Sequence, residues 1–93
     1  MGLEQIELVM NVEDEFGSTI PDFDGQEALT VGAFYDLVLR LVRADPTSQL
    51  AQRPDLDSYL WKRVAVLAAK LGRGLKAEQI TRETHFIADL GYG

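Results

Sequence analysis

The sequence predicts an all-α fold, and three observations predict it. Apolar residues recur at helical spacing in three long stretches. Each stretch ends at a glycine or a proline-marked break, and nowhere does the two-residue alternation of a strand persist. At 93 residues the chain is expected to form one domain, 1–93, with a single modest core.

The first helix is expected from about Leu3 to Phe16. Leu8, Val9, Val12 and Phe16 share one face, and Leu3, Ile6 and Met10 make an adjoining stripe. Glu4, Glu7, Glu13, Asp14 and Glu15 cover much of the remainder, and Gly17-Ser18 is a stop signal. Ile20-Pro21-Asp22 reads as a loop, because proline drives its predecessor towards extended backbone. Asp22 to Leu29 is short and acidic, enough for one helical turn.

Thr30 is a good N-cap for a second helix running to about Val42 or Arg43. Phe34, Leu37, Val38 and Leu41 give its apolar face, and Arg40 and Arg43 complement the dipole of its last turn. Residues 44–55 are polar and punctuated by Pro46 and Pro54, and are expected to be a linker. Asp55 or Asp57 then caps a third helix to Leu71, with Leu60, Val64, Leu67, Ala68 and Leu71 facing inward. Tyr59 and Trp61 are expected to be partly buried, and Gly72 and Gly74 end the helix. Residues 75–93 form a long segment with one turn at Lys76 to Gln79. Ile80, Phe86, Ile87 and Leu90 are its expected core anchors.

Composition removes several function classes. There is no cysteine, hence no disulfide, thiolate catalysis or Cys-based metal site. The longest apolar run, Val64 to Ala69, is far too short to span a bilayer, and no signal-like segment opens the chain. The expected location is the cytoplasm. The formal charge of −6 is uneven: residues 1–45 carry −8 and residues 46–93 carry +2. An acidic first half argues against nucleic acid, whose phosphates need a basic footprint. It suits a basic protein partner or simple solubility. Asp22-Phe23-Asp24-Gly25 lacks the ligand spacing of an EF-hand, and His85 is the only histidine, so no metal ligand and no catalytic residue is expected.

The two ends of the chain carry a further pattern. The tail Phe86-Ile87-Ala88-Asp89-Leu90-Gly91-Tyr92-Gly93 followed directly by the head Gly2-Leu3-Glu4-Gln5-Ile6-Glu7-Leu8-Val9-Met10 resembles the signature of acyl carrier proteins. The resemblance continues in permuted order. Residues 56–91 look like the family's first helix and long loop, and residues 3–16 like its recognition helix. Residues 22–29 and 30–42 look like its third and fourth helices. It covers about 80 residues and leaves residues 44–55 as the new connection. The resemblance implies a small four-helix bundle with circularly permuted helix order. A twelve-residue linker reaches up to about 40 Å, enough to close such a bundle within one chain. A monomer is therefore expected, with a domain-swapped dimer as the alternative.

Two positions depart from the family pattern. Gly93 stands where an Asp belongs, and Gly2 stands where the family has the serine that receives 4'-phosphopantetheine. The resemblance then implies a non-canonical carrier-like protein, not an enzyme, that has no prosthetic-group attachment residue and no cofactor. It would dock on basic surfaces of acyl-transfer enzymes through Leu3, Glu4, Ile6, Glu7, Met10, Glu13 and Asp14. Two alternatives stay open: a genuine acyl carrier in fatty-acid, polyketide or related chemistry bearing 4'-phosphopantetheine, and a structural interaction module. The start of the first helix, near Leu3 and Glu4, is also a candidate seat for an anion or for the Gly93 carboxylate.

Overall fold

Each apolar stripe forms the helix its spacing predicts. In the computed structural model, which describes residues 3–17, 19–20 and 27–92, the helices are α1 (Leu3–Phe16), α2 (Val31–Ala44) and α3 (Leu56–Leu71). Two 3₁₀ turns, Leu50–Gln52 and Ala77–Gln79, complete the regular structure. There is no strand among the described residues, only an isolated antiparallel bridge between Thr30 and His85. Of the stretch 22–29, where a further helical turn is expected, residues 22–26 lie outside the described residues; Glu27 is helical and Ala28 and Leu29 are not.

The helix ends show why the elements stop where they do. α1 closes on Gly17, whose φ of +69° lies in the left-handed region and whose N–H donates to the Glu13 carbonyl at 2.8 Å. The Glu13 carboxylate accepts from the Ile20 N–H at 2.8 Å, which holds the buried Ile20 against the core. At the start of α2 three otherwise orphaned donors are satisfied. Ala33 N–H donates to Thr30 Oγ1 at 3.2 Å, Val31 N–H to the Thr84 carbonyl at 2.9 Å and Gly32 N–H to the Arg82 carbonyl at 3.0 Å. Residue 32 must be glycine for this approach, because a Cβ there would sit 2.7 Å from the Arg82 carbonyl oxygen.

α3 begins differently from the sequence expectation. Asp55 holds the N-cap position but makes no side-chain cap; its carboxylate accepts instead from the Arg53 guanidinium at 2.9 and 3.1 Å. Asp57 lies in the first turn and pairs with Arg43 at 2.7 Å. The salt-bridging arginines outcompete the backbone for both carboxylates. At the other end, Gly72 is needed for space: a Cβ would meet the Leu90 side chain at 2.8 Å.

α3 is central, packing against α1, α2 and the Ala77–Gln79 turn. Leu8, Val9 and Val12 of α1, Phe34, Val38 and Val42 of α2, and Leu60, Val64 and Ala68 of α3 are fully buried. The C-terminal segment adds Ile80, Phe86, Leu90 and Tyr92 to this core. Phe86 meets Phe34 edge-on at 6.0 Å and stacks on Tyr92 at 5.1 Å. Trp61 packs edge-on against Tyr35 at 5.3 Å, with Trp61 and Tyr59 half-buried as expected.

Ile87 is the anchor the structure moves outward, being 59% exposed. Residues 85–91 form a tight turn in which Asp89 and Leu90 N–H donate to the His85 carbonyl. Phe86 and Leu90, four apart, therefore point inward and Ile87 points out. Residues 45–55 also differ from a plain linker: Leu50–Gln52 packs on both α2 and α3, with Leu50 and Ala51 half-buried. The radius of gyration, 12.3 Å, is that of a compact globule of this length. No described helix is long and apolar enough to cross a membrane.

Candidate functional site: the outer face of α1

Successive helical residues are about 100° apart, which separates the inner and outer faces of α1 cleanly. Gln5, Leu8, Val9 and Val12 turn inward and are buried. Leu3, Glu7, Met10 and Asp14 fall in one narrow outer sector, and all four are exposed. Leu3 is 70% and Met10 56% exposed, which puts two large apolar side chains on the solvent side of α1. Ile6 flanks them and is half-buried.

The remaining acids of the expected set lie on the flanks. Glu13 is half-buried, with its carboxylate holding the Ile20 N–H, so part of its charge serves the loop after α1. Glu4 is half-buried on the opposite flank, on the side of Tyr92. Glu15 belongs to neither group. It faces α3, where Arg63 grips it with two hydrogen bonds of 2.6 Å. That hydrogen bonding holds the Glu15 carboxyl below its ordinary range.

Two residues that periodicity did not single out shape this end of the molecule. Gln5 sits on the inner face yet is buried, because its Nε2 donates to the Ala28 carbonyl at 2.7 Å. Tyr92 is 3% exposed, and its hydroxyl donates to the Ala68 carbonyl at 2.7 Å. Gly91, with φ +73°, makes the reversal that sends Tyr92 back into the core. An aromatic residue just beyond the glycine that follows Leu90 was the available signal. Burial pushes the Tyr92 phenol strongly upward, and the Glu4 carboxylate adds to the push. Glu4, in the first turn of α1, thus lies within electrostatic reach of Tyr92.

Gly2 and Gly93, the two positions at the join, lie outside the described residues, as do Ser18 and the Asp22-Phe23-Asp24-Gly25 stretch. Gly2 has no side chain to receive a phosphopantetheine, and the Tyr92 hydroxyl is buried and committed to the Ala68 carbonyl. Ser58, in the first turn of α3, donates to the Asp55 carbonyl, and Ser48, before α3, accepts from the Ala51 N–H.

His85 has a structural role: its Nδ1 accepts from the N–H groups of Ile87 and Ala88, each at 3.2 Å. No cluster of three metal-ligating side chains occurs among the described residues. A groove of about 470 Å³ lies between α3 and the Ala77–Gln79 turn, lined by Trp61, Ala65, Val66 and Ile80 among others, with no wall from α1.

No family model, curated protein or solved structure matches this chain.

Proposed function

We propose that the chain is a carrier-like docking protein: a four-helix bundle of the acyl-carrier type, circularly permuted, monomeric and cytoplasmic. It binds basic surfaces of acyl-transfer enzymes through the outer face of α1 and carries no prosthetic group of its own. The observation that supports this best is the pairing of two exposed apolar side chains, Leu3 and Met10, with the exposed carboxylates of Glu7 and Asp14. Such a face suits a partner in the way interfaces work. Carboxylates steer and orient a basic surface, while a few apolar anchors supply most of the affinity.

The tail-to-head reading draws support from Tyr92, whose phenol lies within electrostatic reach of Glu4 in the first turn of α1. In this reading α3 and residues 72–92 play the family's first helix and loop, and α1 plays its recognition helix. Residues 45–55 then replace the connection lost at the cut.

The test uses a broad-specificity phosphopantetheinyl transferase, an enzyme that grips carrier domains by a basic surface. Binding is measured by calorimetry at two salt concentrations, and intact mass is taken after incubation with coenzyme A. The expected result is salt-sensitive binding with no gain in mass. A gain of one phosphopantetheine makes the chain a true carrier. Absence of binding by the folded protein removes the docking reading.

A further inference from the structure

We infer that Met10 is an oxidation-sensitive switch on the outer face of α1. The inference rests on the docking reading and adds its regulation. With no cysteine in the chain, the thioethers of Met1 and Met10 are its softest, most readily oxidised groups. Met10 is more than half exposed, at 56%, so peroxide reaches it without any opening of the fold. It shares the outer sector with Leu3, Glu7 and Asp14, one helical turn from each of the two acids.

The chemistry is an oxygen transfer. The thioether sulfur attacks one oxygen of hydrogen peroxide, the O–O bond breaks, a sulfoxide forms and water leaves. The sulfur is oxidised by two electrons and the peroxide is reduced. An unbranched apolar side chain becomes a polar one carrying a strong hydrogen-bond acceptor. On a face already rimmed by carboxylates, the change removes an apolar anchor and adds partial negative charge where a partner's apolar side chain would sit.

Placement makes the effect local. The buried side of α1, Leu8, Val9 and Val12, contains no sulfur, so oxidation leaves the core untouched. This separates Met10 from a core methionine, whose oxidation unfolds the protein. The side chain is reduced again by methionine sulfoxide reductases, so the change is reversible.

The experiment treats the protein with dilute hydrogen peroxide and maps the added oxygen by peptide mass. Helical circular dichroism and affinity for the same transferase are then compared before and after. The expected result is an oxygen at Met10, an unchanged spectrum and about tenfold weaker binding. Sulfoxide reductase treatment restores the affinity, and the affinity of Met10→Leu, whatever its starting value, does not change on peroxide treatment. Equal affinity of the parent before and after oxidation overturns the switch while leaving the docking reading intact. Lack of binding by the untreated protein overturns both. Loss of helical signal on oxidation overturns the local mechanism.

Discussion

Glu15 and Arg63 form a two-pronged ion pair, two hydrogen bonds of 2.6 Å that tie α1 to α3 across 48 positions of sequence. Both side chains are about one-third exposed or less, 26% and 35%. A bidentate pair in this setting exceeds the usual surface ion pair. Removing it by Glu15→Gln is expected to destabilise the protein by about 1 kcal/mol. A double-mutant cycle with Arg63→Met, read by urea unfolding, checks the coupling; a cycle that closes near zero removes this role.

The same pair, with Arg82 and Asp36, contributes to the response to acid. Hydrogen bonds from Arg63 and Arg82 hold Glu15 and Asp36 below their ordinary values. A carboxyl lowered in the folded state binds fewer protons there than in the unfolded chain. Its stabilisation is complete above the unfolded value, about 4, and disappears as pH falls through the folded one. Unfolding free energies at pH 7 and pH 3 are therefore expected to differ less in a Glu15→Gln, Asp36→Asn double variant than in the parent. An equal loss in both proteins contradicts the assignment.

Gly32→Ala is expected to destabilise by about 1–3 kcal/mol, because the new Cβ would meet the Arg82 backbone at 2.7 Å. Thermal unfolding measures it. The control is Gly17→Asn, a position with open space around it and a left-handed backbone that asparagine tolerates. Similar melting of the two variants would mean that the Arg82 carbonyl yields freely.

Tyr92→Phe keeps the stacking on Phe86 but leaves the buried Ala68 carbonyl without its hydroxyl donor. The expected cost is about 1–3 kcal/mol. Deleting the side chain with Tyr92→Ala is expected to cost more, about 3–5 kcal/mol. Denaturant titrations of the two variants distinguish hydrogen bond from packing; a neutral Tyr92→Phe discards the former.

On the outer face of α1 the acids are expected to divide. Charge reversal at Glu7 and Asp14, both exposed, should weaken transferase binding about tenfold at low salt with no change in melting temperature. Glu13→Ala should instead lower stability by about 1 kcal/mol, since it frees the Ile20 N–H. Uniform effects of the three substitutions on melting would erase the distinction between rim and loop anchor.

Helical spacing made the three long helices legible, along with most of the core. Thr30 and Gly17 also marked their helix ends as their chemistry suggests. What escaped was decided by tertiary competition. Asp55 and Asp57 looked like caps, but Arg53 and Arg43 engage their carboxylates. Ile87 looked like an anchor, but a turn stabilised by the His85 carbonyl lets only Phe86 and Leu90 point inward. Gln5 is polar on an inner face, and only the position of the Ala28 carbonyl explains its burial. For the candidate site, the stripe of Leu3, Ile6 and Met10 was legible, whereas the commitment of Glu13 to Ile20 depends on where the loop after α1 returns.

The start of α2 carries a consequence for how the chain folds. Its first N–H groups find their acceptors on Thr84 and Arg82, about fifty residues away. A helix end finished by so remote a segment cannot mature while the polypeptide is still searching locally. The middle of α2 is expected to organise early on the route to the native state, and its first turn late, once residues 81–86 have docked. Substitutions at Gly32 should then speed unfolding and leave the refolding rate nearly unchanged, whereas those at Val38 should slow refolding.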